Sequence, residues 1–244
     1  MKALILNSGI GKGLRPFTNQ NPKCLVPING TTILGHEIEN ILHYGIKDFI
    51  ITVGPFYDKI KKFMEQNFPQ VNVTYVENPN YSSTNAIYSM WLTKNFIDDD
   101  ILTMHGDMVF DKSLLGVLLD RKYPNCVLVN NKVKPPEKDF KGKVENDIVT
   151  KISVNISGEN TFFLAPVYKF SKNSFNLWIN EMDKFVKMGN VNVYGEEAYN
   201  NIYGKIKLHP VYYSDEFCME IDNFEDLNIA RKFLSGLAFS NPGK

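Results

Sequence analysis

Hydrophobic positions in the first half of the chain follow two periods that take turns. Ala3–Leu6 is an unbroken apolar run, the pattern of a strand covered on both faces. Leu34, Ile38, Ile41 and Leu42 then recur at helical spacing, and Gly45 ends that segment. Asp48–Val53 reads as a second strand, and Ile60, Phe63 and Met64 mark a second amphipathic helix. Val71–Val76 alternates apolar and polar side chains as a third strand. This alternation predicts an α/β fold: a Rossmann-like, mostly parallel mixed sheet flanked by helices, with its ligand beyond the carboxyl ends of the strands.

The pattern continues with a polar loop at 77–85 and a helix over 85–92, capped by Thr84 or Asn85, with Ile87, Met90 and Trp91 facing the core. Ile101–His105 and Cys126–Asn130 are further strands. Residues 131–143 break the rhythm: Pro135-Pro136 and five lysines predict a solvated flap rather than a binding patch. Residues 144–153 and 161–170 read as antiparallel strands joined through a turn at 156–160. Phe175, Trp178, Ile179, Met182 and Phe185 then put a core stripe on a helix spanning 172–188. Near the end, a short strand closes at Asp222, and Asn223 caps a helix over 224–233 with Asp226 at its third position. The expected organisation is a single domain over 1–234, a small antiparallel insertion at about 131–170, and a flexible tail at 235–244.

Composition narrows the class. Hydrophobic residues at 43% and charged residues at 22% suit an ordinary globular chain of 244 residues, long enough for a substantial core. A formal net charge of zero gives no electrostatic reason to expect nucleic acid or an anionic membrane as partner. Cys24, Cys126 and Cys218 are odd in number, widely spaced and outside any zinc pattern, which fits a reducing compartment. No apolar run reaches membrane-spanning length and the start leaves no room for a signal peptide, so a cytoplasmic location is expected. His36, His43, His105 and His209 form no ligand spacing and are assigned no role.

The chemistry concentrates where the first strand ends. Gly9, Gly11 and Gly13 allow backbone N–H groups to approach an anion closely, and Lys12, Arg15 and Lys23 supply cations. A P-loop is excluded, because the residue five before Gly11 is Leu6 and Lys12 is followed by Gly13. A dinucleotide fingerprint fails too, since Pro16, Pro22 and Pro27 demand an irregular loop where that motif opens a helix. Downstream, Gly106-Asp107 places a carboxylate at the carboxyl edge of the sheet, where magnesium could take one or two carboxylates beside phosphate oxygens. Asp222 offers the second carboxylate. Glu196 and Glu197, flanked by Tyr194 and Tyr199, either start a helix favourably or hold a cationic group.

The run Leu6-Asn7-Ser8-Gly9-Ile10-Gly11-Lys12-Gly13-Leu14-Arg15-Pro16, followed by Pro22-Lys23-Cys24-Leu25-Val26-Pro27, resembles the signature of the nucleotidyltransferases that activate sugar phosphates and small phosphorylated alcohols. The close Glu220-Ile221-Asp222 to Leu227 resembles that of the same family, and the segment Asn85 to Leu92 resembles its cytidylyltransferase branch, which uses phosphocholine, 2-aminoethylphosphonate or phosphoglutamine. The resemblance implies the nucleotide-diphospho-sugar transferase fold and attack of an acceptor phosphate on the α-phosphorus of CTP, with pyrophosphate leaving. By the same resemblance, Lys23 steadies the reacting phosphates, Lys12 and Arg15 clamp the leaving ones, and Asp107 and Asp222 hold Mg²⁺. Leu6, Asn7, Ser8, Gly9, Gly11 and Gly13 would bind the nucleotide together with Ser83, Thr84 and Asn85, while Glu197 and Tyr194 would meet the acceptor. One departure stands out: the family's arginine falls on Gly13, and Arg15, Arg121 and Arg231 are the only arginines in the chain. Expected partners are CTP and a small phosphorylated acceptor, with a homodimer as the expected assembly. A sugar-1-phosphate nucleotidyltransferase and a nucleotide-binding regulatory protein that no longer turns over are the alternatives.

Overall fold

The computed structural model describes residues 1–236, so most of the expected tail lies outside the described residues. A mixed sheet, nine-stranded among the described residues, forms the centre. Lys2–Asn7 lies in its middle, parallel to Asp48–Val53 on one side and to Ile101–His105 on the other, and Asn72–Glu77 continues the parallel half. Successive side chains of the first strand point to opposite faces, as strand geometry requires. Ala3 and Ile5 join Leu34, Ile38, Ile60 and Met64 on one face, whereas Leu4 joins Ile87, Met90, Phe175 and Trp178 on the other. Helices cover both faces, which is why this strand reads as continuously apolar.

Thr161–Phe170 joins this parallel half to the rest. Its last residues run antiparallel to Ile101–Met104, its first pair with Lys141–Lys143, and Cys126–Asn130 pairs along it as well. The ladder to Cys126–Asn130 shifts register between Ala165 and Tyr168, where Pro166 has no N–H to give. His209–Tyr213 adds in parallel to Cys126–Asn130; nothing in the apolar pattern had marked it or the helix Ser113–Asp120.

The insertion differs from its expected form in one respect. Lys141–Glu145 and Ile148–Ser153 are two strands of a hairpin rather than one strand over 144–153. Asn146 and Asp147 make its turn, with φ of 51° and 59°, a left-handed pair that Asn and Asp tolerate.

A third apolar cluster ties the two ends of the chain together. Leu14, Val26 and Ile28 from the N-terminal loop pack with Phe217, Ile221, Leu227 and Ala230. Beside it, Met108–Phe110 pairs antiparallel with Cys218–Glu220, and Ile221 N donates to Asp107 O at 2.9 Å. Asn223 caps Phe224–Leu234, accepting from Glu225 N at 2.8 Å and Asp226 N at 3.0 Å. Asp226 Oδ2 in turn accepts from Asp222 N at 2.9 Å, so Asp222 is fixed at the mouth of the sheet. Among the described residues, no helix is long and apolar enough to cross a membrane.

Candidate active site

Three carboxyl-end loops meet over the first strand. Leu6, Ser8 and Gly9 form one wall of a cavity of about 240 Å³, Thr84, Asn85 and Ser89 a second, and Asp107, Glu220 and Asp222 its acidic floor. Neighbouring backbone sets the shape of the first wall. Ser8 Oγ donates to Val53 O at 3.3 Å, and Asn7 N donates to Thr52 Oγ1 at 3.0 Å. A Cβ at Gly106 would stand 1.9 Å from Asn7 Oδ1, so only glycine lets the acidic strand end lie against this loop. Gly9 faces open space within the cavity, room for a ligand to approach the main chain.

Lys23 lies at the centre. Gly11, left-handed at φ 60°, wraps so tightly round it that a Cβ there would meet Lys23 Cβ at 2.7 Å. The ammonium donates to Asp107 Oδ2 at 2.6 Å and to Asp222 Oδ1 at 2.9 Å. Burial alone would lower its pKa, but the two carboxylates outweigh burial and hold it above the ordinary lysine value. Burial likewise pushes the Asp222 carboxyl up, and Lys23 and Lys138 more than reverse this, leaving it below the usual range. Two carboxylates that reach one ammonium converge on a point. Asp107 Oδ1 is also buried with no hydrogen-bond partner, and a spare oxygen beside a second carboxylate fits the donor set magnesium takes alongside phosphates.

The opposite wall is aromatic and charged. His105 lies 3.7 Å from Glu196 Oε1 and 3.9 Å from Glu220 Oε2. Phe140 meets its ring edge-on at 5.6 Å, and Tyr194 stacks at 6.5 Å. Burial would depress the His105 imidazolium, yet Glu220 and Glu196 raise its pKa to about 9. Glu196 also accepts from Tyr168 Oη at 2.8 Å. The ligand atoms of His105, Asp107 and Glu220 all lie within 4.8 Å of one another.

The structure gathers only part of the set named from sequence. Leu6, Ser8, Gly9, Thr84, Asn85, Tyr194, Asp107 and Asp222 line the cavity, and Lys23 bridges its carboxylates. Ser83 turns back to Asn80 O and is exposed, and Asn7 lies buried behind the wall. Lys12 and Arg15 are exposed and neither lines the cavity. Gly13 cannot carry the family's arginine as the backbone stands, because its Cβ would sit 2.2 Å from Asp222 O. Glu197 is exposed and faces a neighbouring depression of about 420 Å³, whereas the adjacent Glu196 turns inward to His105. Sequence reasoning missed His105, Glu220, Phe140 and Lys138, and it weighed Glu196 but chose Glu197. For Glu220 a signal existed, since it ends the strand Cys218–Glu220 two residues before Asp222 in the same Glu-Ile-Asp run. For Lys138 there was none among five lysines.

The family model described as nucleotidyl transferase matches residues 2–137, more than half of the chain. The chain belongs to the nucleotidyl transferase family. It is 27% identical over 135 residues to a CMP-5'-(3-aminopropyl)phosphonate synthase of Streptomyces rubellomurinus, a match covering 55% of this chain and 22% of that protein. It is 37% identical over 94 residues to a choline-phosphate cytidylyltransferase of Streptococcus pneumoniae, covering 38% of this chain and 39% of that one. The chain thus spans well under two thirds of the length of these curated relatives. Among solved structures, the inositol-1-phosphate CTP transferase from T. maritima superimposes with a TM-score of 0.78 at 20% identity, covering 97% of both chains. That likeness establishes the fold of this family member as the nucleotide-diphospho-sugar transferase type.

Proposed function

We propose that the chain is a magnesium-dependent cytidylyltransferase that joins CTP to a small phosphorylated amine, alcohol or amide and releases pyrophosphate. The observation that carries this is the convergence of Asp107 and Asp222 on Lys23, at 2.6 and 2.9 Å, where the parallel strands open. A site for in-line phosphoryl-group chemistry needs positioning and charge neutralisation more than a covalent nucleophile, and that is what these side chains supply. An oxygen of the acceptor's phosphate forms the new bond to the α-phosphorus, the bond from that phosphorus to the β-bridging oxygen breaks, and pyrophosphate carries away the electron pair. Lys23 would donate to the non-bridging oxygens as charge builds on them. Asp107 and Asp222 would hold Mg²⁺, which supplies charge neutralisation to the phosphates when bound.

Ser8 and Gly9 with Thr84 and Asn85 would frame the nucleotide, while Phe140, Tyr194 and Glu220 would face the acceptor. The cytidine choice leans on the CMP- and cytidylyl- names of the two curated relatives. Pyrophosphate release with Mg²⁺ tests the proposal, crossing CTP, UTP, dTTP, ATP and GTP with phosphorylated amines, amides and sugars. Release with CTP and one small acceptor, lost in Lys23→Ala and Asp107→Ala, is the expected result. Release confined to a sugar phosphate would assign a sugar-1-phosphate nucleotidyltransferase. Nucleotide binding with no release across the panel would assign a regulatory protein.

A further inference from the structure

Both oxygens of Asp222 are taken by ammonium groups. Lys23 Nζ lies 2.9 Å from Oδ1 and Lys138 Nζ lies 3.1 Å from Oδ2. Magnesium binds carboxylate oxygen at about 2.0–2.1 Å, and an ammonium group on each oxygen opposes the ion by charge, so Asp222 takes the ion more readily once one lysine leaves. The two lysines are not equally free to leave. Lys23 has a side chain only 16% exposed, and the root of that side chain, Cβ and Cγ, lies against Gly11. Lys138 is 42% exposed, and Asp226 Oδ2 already holds it at 2.6 Å.

The placement of Lys138 favours movement. It stands on the flap joining Cys126–Asn130 to Lys141–Glu145, and a cavity of about 730 Å³ lies between this flap and the segments carrying Phe217, Met219 and Ile229. The flap backbone is held on either side of Lys138, where Lys141 Nζ donates to Glu137 O at 2.9 Å and Asp139 O at 3.1 Å, so the freedom is that of the Lys138 side chain beside this cavity. The same flap brings Phe140 to the aromatic wall opposite the nucleotide loop, and Lys138 and Phe140 both line the site.

We propose that Lys138 is an acceptor-binding residue held in reserve: it neutralises Asp222 in the resting protein, yields that carboxylate to the metal-bound triphosphate, and then pairs with the phosphate of the acceptor. No chemical step passes through it; its task is to deliver a cation to the acceptor side once the nucleotide side is filled. The inference rests on the cytidylyltransferase proposal only for the nature of the substrates.

The test uses the whole chain with Lys138→Met, which keeps the aliphatic stem, and Lys138→Arg, which keeps the charge. Mn²⁺ binding is followed by electron paramagnetic resonance without nucleotide, and inorganic phosphate binding by calorimetry with Mn²⁺ present. Lys138→Met should bind Mn²⁺ about two- to fivefold tighter, the size expected for releasing a half-exposed ion pair. It should bind phosphate about tenfold more weakly, through loss of a charge-assisted hydrogen bond. Lys138→Arg should return both values most of the way to wild type. With turnover, Lys138→Met should raise the KM for the acceptor far more than it lowers kcat. Mn²⁺ binding unchanged or weaker in Lys138→Met would overturn the proposal, as would unchanged phosphate binding; a lysine that merely anchors the flap would weaken both. Neither titration requires turnover, so failure of the CTP assignment and failure of this inference would be told apart.

Discussion

Placing an arginine at Gly13 should damage this protein rather than improve it, although arginine is the residue its family signature carries there. An ideal Cβ at Gly13 stands 2.2 Å from the carbonyl oxygen of Asp222 and 3.3 Å from its carbonyl carbon. Carbon and oxygen pack at roughly 3.3–3.6 Å, so one of the two backbones must give way by about 1 Å. The Asp222 side is tied down by Ile221 N to Asp107 O and by Asp222 N to Asp226, both at 2.9 Å. Any displacement there therefore carries the Asp222 carboxylate away from Lys23 and Asp107. Overpacking of this kind costs about 1–3 kcal/mol of stability, and a misplacement of about 1 Å at the chemistry costs on the order of 10² in rate. Gly13→Ala should lower the unfolding free energy in urea by about 1–3 kcal/mol with an unchanged m-value, and pyrophosphate release should fall about a hundredfold. Gly13→Arg should do no better. If Gly13→Arg instead releases pyrophosphate several times faster than the natural chain at unchanged stability, the steric argument is refuted and the glycine is a defect.

Other perturbations test other parts of the molecule. Glu37 is fully buried and accepts from Met108 N at 3.0 Å, while burial pushes its carboxyl well above the usual range. Glu37→Leu strands that N–H and should be about 1–3 kcal/mol less stable than Glu37→Gln by urea titration. Burial also raises the Asp139 carboxyl to about 6, so its ionised form is disfavoured in the folded state. The penalty enters as pH rises past the unfolded value and is complete above the folded one; Asp139→Asn should accordingly raise Tm at pH 8 and leave it unchanged at pH 3.5. Trp178 is fully buried and donates to Gly195 O at 2.8 Å. Trp178→Ala should cost about 3–5 kcal/mol, measured by urea or thermal unfolding.

The strands of the parallel half were legible because helices cover both faces of the sheet, and Ala3–Leu6 and Phe49–Ile51 show that burial as uninterrupted apolar runs. Asn223 was legible as a cap because the cap is a local hydrogen-bond problem with few solutions. His209–Tyr213 escaped notice: it joins the sheet through Cys126–Asn130, more than seventy residues earlier, and Pro210 obscures its pattern. The hairpin at Asn146-Asp147 was hidden for the opposite reason, since apolar periodicity continues across a turn only two residues long. In the candidate site, motif position named Lys23, Asp107 and Asp222, which the fold brings together, but could not say which of two adjacent glutamates turns inward. Helical rotation separates neighbours by about 100°, and the packing of Gly195–Asn200 sends Glu196 in and Glu197 out. Lys138 was hidden in a run of like residues whose charge is visible but whose partners are set by distant chain.

The pairing of Met108–Phe110 with Cys218–Glu220 carries a consequence for how the protein comes into being. Synthesis runs from the amino end, and more than a hundred residues separate these strands. Everything that would frame the triphosphate, from Leu6 to Asp107, leaves the ribosome long before Asp222. Until the returning segment docks, Lys23 has one carboxylate instead of two, and Leu14, Val26 and Ile28 lack their cover from Leu227 and Ala230. Contacts this far apart in sequence form late, because the loop between them must first be closed. A growing chain therefore has most of its sheet before it has a complete site, and chemistry becomes available only when the final helix is in place.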